Sequence, residues 1–190
     1  MPNLLNETSF KNRRLLLKGL GIIPLALGYT TARANSMQAC ELSFRHTHTD
    51  ECLELVYRRG EIYVPAALAK INLLMRDFRT GDVVAMDPAM LDILHEVGNR
   101  CGSHHFEIIS AYRSPATNSF LRRRRRGSGV ARHSFHLEGR AIDVRIPGVD
   151  STRVRDVALE LGLGGVGYYP VEDFVHLDTG PVRTWGPTES

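Results

Sequence analysis

The sequence is short of several things, and each shortage narrows what the chain can be. It has three cysteines, Cys40, Cys52 and Cys101, and no two are spaced as C-x-x-C. That argues against a cysteine-based zinc site and against a dithiol redox motif. The odd count leaves at least one thiol unpaired. Cys40 and Cys52 fall where they could face each other across a hairpin, so one disulfide stays open. The apolar run Gly19–Gly28 contains Gly and Pro and is too short to span a bilayer comfortably. No cysteine follows it closely enough to suggest a lipoprotein. Neither an internal repeat nor a long low-complexity segment is found.

What stands around that apolar run is an export signal. Asn12-Arg13-Arg14-Leu15-Leu16-Leu17-Lys18 is a twin-arginine pair followed by apolar residues and a lysine, and Ala32-Arg33-Ala34 has the A-x-A form of a signal-peptidase site. Cleavage after Ala34 is expected, leaving residues 35–190 as one domain. The twin-arginine route carries folded proteins, so folding is expected before export. The signal also carries the excess of basic over acidic charge. Of 24 basic and 21 acidic residues, residues 1–34 hold five and one, so 19 and 20 remain, a net charge of −1. The basic isoelectric point is therefore no argument for a nucleic-acid partner. No stable membrane insertion is expected after cleavage.

The mature chain alternates helical and extended signals. Glu41–Phe44 and Cys52–Tyr57 read as a first hairpin, and Ile62-Tyr63-Val64 as a short extended piece. Pro65 opens a helix with Leu68, Ile71, Leu74, Met75 and Phe78 inward, ending at Thr80-Gly81. Asp87-Pro88 opens a second, ending at Cys101-Gly102. Phe106–Ile109 is a buried strand and residues 116–124 a helix. A flexible loop follows at Arg126-Gly127-Ser128-Gly129, then a strand over Arg140–Ile146. Asp150 caps a helix over Ser151–Leu161, and Gly164–Tyr169 pairs with Phe174–Asp178 across Pro170. Short, hairpin-connected strands interrupted by helices predict an α+β fold. The specific expectation is a small antiparallel sheet flanked by helices.

The stretch Ser134–Asp143, SFHLEGRAID, places His136 seven residues before Asp143. A third candidate, His176, lies in Asp173-Phe174-Val175-His176-Leu177-Asp178. Two histidines and an aspartate are a donor set that zinc accepts, with a fourth position open. By strand parity His176 shares a face with Phe174 and Asp178. On spacing alone the blander reading is stronger: a core histidine and an aspartate capping a turn.

The combination of segments is more specific. Ser134-x-His136-x-x-Gly139-x-Ala141-x-Asp143 and the later His176-x-Asp178 resemble the signature of the zinc D-alanyl-D-alanine peptidase superfamily. The closer resemblance is to its YcbK/MepK-like murein endopeptidases. It is carried also by Tyr112-Arg113-Ser114 with Thr117-Asn118, by Gly165-Val166-Gly167-Tyr168-Tyr169-Pro170, and by Phe174–Gly180 through Trp185. It covers most of residues 40–186.

The resemblance implies zinc on His136, Asp143 and His176. It implies a proton acceptor three residues before the last histidine, here Asp173; Glu138 and His133 are fallbacks because both are near the ligand loop. Arg113 would hold the developing oxyanion and bind substrate. Ser134 would order the loop or bind a substrate carboxylate, and Asp178 would accept the N–H of a ligating imidazole or bind a turn backbone. Zn2+ is the expected cofactor, in a cleft on the sheet, and peptidoglycan stem peptides are the expected partner. The protein would act in the periplasm or cell envelope. The expected activity is hydrolysis of peptide cross-links in peptidoglycan. A D,D-carboxypeptidase or dipeptidase of the same fold, or a non-catalytic peptidoglycan-binding protein, are the alternatives. Three further features read as solvated: the arginine run Arg122–Arg126, the hairpin-tip pair His46 and His48, and His104-His105.

Overall fold

The computed structural model describes residues 38–124 and 133–187. The export segment, residues 1–34, and the Arg126–Gly129 loop lie outside them. Eight strands form one sheet: β1 (Ala39–His46), β2 (Cys52–Arg59), β3 (Ile62–Tyr63), β4 (His105–Ser110), β5 (Ala141–Arg145), β6 (Gly165–Tyr169), β7 (Phe174–Asp178) and β8 (Arg183–Trp185). Four helices accompany them: α1 (Pro65–Leu74), α2 (Pro88–Cys101), α3 (Pro115–Arg124) and α4 (Ser151–Leu161). The strand order is β3-β2-β1-β4-β5-β7-β6-β8. The α+β class is as expected, but the sheet is neither small nor purely antiparallel. β1 runs parallel to β4, and β6 parallel to β8. The edge strands are two and three residues long, which limits the exposed row of unpaired backbone groups.

Helix starts follow from their caps. Asp87 Oδ1 accepts from the Ala89 N–H, Asp150 Oδ1 accepts from the Thr152 N–H, and α1 and α2 carry Pro in the first turn. α1 stops at Leu74, short of the expected Thr80-Gly81. The chain there closes a separate turn around Asp77, whose N–H donates to Asp82 O and whose carbonyl accepts from Gly81. Phe78 keeps the helical spacing but leaves the helix, packing edge-on to His46 and stacked on His48. His46 is therefore buried and not a solvated hairpin tip. His104 and His105 are half-buried: His104 stacks on His95, and His105 bonds the Ser43 hydroxyl.

The Cys40–Cys52 disulfide does not form. The β1–β2 register pairs Cys40 with Arg58 and Cys52 with Arg45, at opposite ends of the hairpin. Five residues of strand separate the two positions, about 16 Å.

Alternation divides the sheet. Phe44, Phe106, Ile142, Val144, Val175 and Leu177 point to one side and join Ile71 of α1, Leu94 of α2 and Val154 of α4 in a single core. Asp143 and Arg145 on β5, and His176 and Asp178 on β7, point to the opposite side. The apolar face fixes the register, and the register places the polar residues on the other face.

Candidate metal centre

Asp143 sits opposite His176 in the β5–β7 ladder. His136 arrives from a 3-10 turn, Phe135–Glu138, that the sequence reading missed. Gly139 ends that turn at φ 68°, and a Cβ there would lie 2.7 Å from the Ala85 carbonyl oxygen. Its carbonyl accepts from the Asp87 N–H, 2.9 Å. The glycine in SFHLEGRAID thus serves both a left-handed backbone and a close approach.

Three buried ligand atoms converge. His136 Nε2 lies 3.1 Å from His176 Nδ1 and 3.2 Å from Asp143 Oδ1, and His176 Nδ1 lies 2.8 Å from Asp143 Oδ1. Among the described residues this is the group of three that could hold a metal ion. A tetrahedral zinc site has ligand–ligand edges of about 3.3 Å, so the triangle is slightly tight but of the right size. The outer nitrogens are also accounted for. His136 Nδ1 is bonded to the Ala111 carbonyl oxygen, which leaves Nε2 to face the centre. His176 Nε2 is bonded to Asp178 Oδ2, 3.1 Å. An imidazole held from behind by an acceptor is the arrangement that orients metal ligands.

The electrostatics suit that use. Burial pushes the His136 imidazole down to about 4, aided by Arg113, so it is neutral at physiological pH. Burial alone would push the Asp143 carboxyl up, but His136 and His176 outweigh it and hold it well below the carboxylate range. Burial likewise opposes charge on His176, and its bonds to Asp143 and Asp178 overcome that and raise it.

Arg113 is brought to the site. Its Nη2 donates to Asp143 Oδ2 at 3.1 Å, and its Nε to the Ser110 hydroxyl at 3.1 Å. A bulge between Ile108 and Ser110 sets Ser110 opposite Asp143. Ser134 lies beside the centre in sequence, as the residue before the 3-10 turn, and its carbonyl accepts from the Leu137 N–H. Asp173 stands apart. It occupies the β6–β7 turn at φ 52°, mostly exposed, and its carboxylate meets Arg145 at 3.8 Å rather than the three ligand atoms. Glu138 is exposed and paired with Arg140, and His133 is exposed. Arg122, Arg123 and Arg124 are exposed at the end of α3; Arg125 and Arg126 lie outside the described residues.

Asp178 is the residue around which the wall is built. Fully buried, it binds both terminal nitrogens of Arg183 at 3.0 and 2.6 Å and accepts from the Gly165 and Gly180 N–H groups. Trp185 of β8 closes the same side. Its ring centroid is 5.0 Å from that of His176, and Nε1 donates to the Tyr169 hydroxyl at 2.9 Å.

A fold face that gathers two histidines and a carboxylate, each histidine held from behind, has the donor set of a candidate metal centre. The comparisons give the family. A family model described as peptidoglycan L,D-endopeptidase MepK matches residues 34–185. The probable peptidoglycan L,D-endopeptidase MepK of Haemophilus influenzae is 40% identical over 169 residues, 88% of this chain and 88% of its own. The peptidoglycan L,D-endopeptidase MepK of Escherichia coli K12 is 40% identical over 145 residues, 76% of this chain and 79% of its own. The chain belongs to the family of the peptidoglycan L,D-endopeptidase MepK. No solved structure matches it significantly.

Proposed function

We propose that this chain is a zinc-dependent murein endopeptidase that hydrolyses L,D peptide cross-links of peptidoglycan in the cell envelope. The observation that carries the reading is the convergence of His136 Nε2, Asp143 Oδ1 and His176 Nδ1, with both outer imidazole nitrogens bonded. Family membership supports peptide cross-links as the substrate class. A zinc ion held there would supply Lewis acidity at the scissile carbonyl and a water that is nucleophilic near neutral pH.

The chain's own residues do the rest. Arg113 fixes the Asp143 carboxylate through Nη2, and among the described residues its Nη1 takes no acceptor. That donor is available to an oxygen gaining negative charge. Ser134 offers a hydroxyl to substrate. Asp173, at the rim of the face that carries the three proposed ligands, is the proton acceptor, a role that would require its carboxylate to leave Arg145 and come within hydrogen-bond reach of the attacking water. The domain is exported by the twin-arginine route after folding, and the family match begins at residue 34, next to the proposed cleavage after Ala34.

Asp173→Asn tests the enzyme against a binding module. The variant should bind isolated sacculi as tightly as wild type but release at least tenfold less peptide material. Equal binding with no release by either protein would contradict the endopeptidase.

A further inference from the structure

Next to the metal-bearing residues the sheet carries a row of charge that the roles above leave unused. Arg145 is two residues beyond Asp143 on β5 and points to the same face. Glu107 of β4 binds two arginines: Arg145 Nε at 2.7 Å and Arg45 Nη1 at 2.9 Å. Arg45 is held at its other end as well, by Asp50 at 2.7 Å. Arg145 is not. Its Nη1 meets the exposed Asp173 carboxylate at the longer distance of 3.8 Å, and its side chain remains 37% exposed. Glu107 therefore orients the guanidinium from behind and leaves its outer edge to solvent.

Two neighbours make that edge a place for substrate. Arg145 lies opposite the Phe174 end of β7, and Phe174 stacks on Tyr169 with centroids 4.5 Å apart. Tyr169 in turn receives the Trp185 indole N–H beside His176. Apolar rings thus run from the centre toward Arg145. Beyond it lies a depression of about 670 Å3, lined by Arg145, Gly148, Asp150, Ser151, Tyr168 and Asp173. That volume suits one arm of a peptide.

We propose that Arg145 is the substrate anchor, binding the free carboxylate of the residue on the amine side of the scissile bond, with Glu107 positioning it. The inference rests on the endopeptidase reading. In an L,D bond the amine comes from a D-centre, and a D-residue joined through its amine keeps its own carboxyl beside the bond. Two strand residues span about 7 Å, and one substrate residue about 3.5 Å, so an arginine side chain at this position reaches that carboxylate. A fork of N–H donors matches a carboxylate in charge and in geometry.

The test uses two synthetic cross-linked peptides that differ only in whether that carboxyl is free or amidated. The metal-loaded wild type should favour the free acid by about 10- to 100-fold in kcat/KM. Arg145→Gln should bring the ratio close to one by losing activity on the free acid alone, mainly through KM, and Arg145→Lys should keep part of the preference. Equal losses on both peptides would mean that Arg145 acts through Asp173 or the sheet, and would overturn the anchor. Should wild type cut neither peptide, the endopeptidase reading fails, and the same pair read as Kd decides the anchor separately. A free-acid preference lost in Arg145→Gln supports it, and equal Kd values overturn it.

Discussion

His176 and Asp178 act as one unit. The imidazole faces the centre with Nδ1 and the Asp178 carboxylate with Nε2, while Arg183 and two backbone N–H groups satisfy the rest of that carboxylate. Burial would push Asp178 up, but the bonds from His176, Arg183 and Gly180 hold it far below the usual carboxylate range. Asp178→Asn leaves the three proposed ligands in place but weakens the acceptor behind His176. It should lower metal affinity about 10- to 100-fold, measured by competition with a chromogenic chelator. Unchanged affinity would remove Asp178 from the site. At this scale the sequence was informative where a residue type and a neighbour recur together, as for His136, Asp143 and His176. It was silent on Ala111, whose backbone carbonyl holds His136, since a carbonyl has no residue-type signature. It was also silent on Arg145, because strand parity identifies a face only once the ladder is known.

Elements are held to the site by short polar links. Asp77, in the turn after α1, ties that turn to the start of α3: it accepts from the Ser114 N–H at 2.8 Å and the Arg79 N–H at 2.9 Å. Burial pushes its carboxyl up, but the Thr117 and Ser114 hydroxyls and these N–H groups outweigh it and hold it at about 2, against an ordinary 3.8. A depressed carboxyl stabilises the fold above its unfolded value and ceases to do so as pH falls through its folded one. In chelated protein, stability should therefore drop by roughly 2 kcal/mol between pH 4 and pH 2 through this group. Asp77→Asn should remove that part of the slope in denaturant titrations at each pH, and an identical slope would contradict the assignment. β6 carries a second link. A Cβ on Gly165 would lie 2.5 Å from Asp178 Oδ2. Gly165→Ala should cost about 1–3 kcal/mol in thermal or denaturant unfolding and weaken metal binding as well. The strands and helices with strong local signals were legible: proline or aspartate starts and alternating apolar residues. The 3-10 turn at His136 and the three-residue β8 were not. Each is too short to show a period, and β8 is defined by parallel pairing with β6 rather than by its own residues.

At the scale of the described domain, the sheet turns one apolar face to the helices and carries the proposed ligands Asp143 and His176 on the other. The class of fold was readable from the order of elements. The eight-strand mixed sheet was not, because the β1–β4 and β6–β8 pairings join segments that no local pattern connects. The same non-local pairing would make a metal at this site a fold-wide stabiliser, since the three proposed ligands come from a 3-10 turn and two strands. Zinc at 1,000 times its Kd should raise unfolding stability by about 4 kcal/mol. His136→Ala should abolish that gain, and a gain that survives the substitution would put the metal elsewhere.

The measurement that bears most directly on the account is digestion of purified cross-linked peptidoglycan by residues 35–190, with and without a chelator, read by the masses of the released muropeptides. The account predicts conversion of L,D-cross-linked dimers to monomers, stopped by the chelator and restored by zinc. Dimers left intact by protein with zinc bound at His136, Asp143 and His176, or cut equally well in chelator, would contradict it.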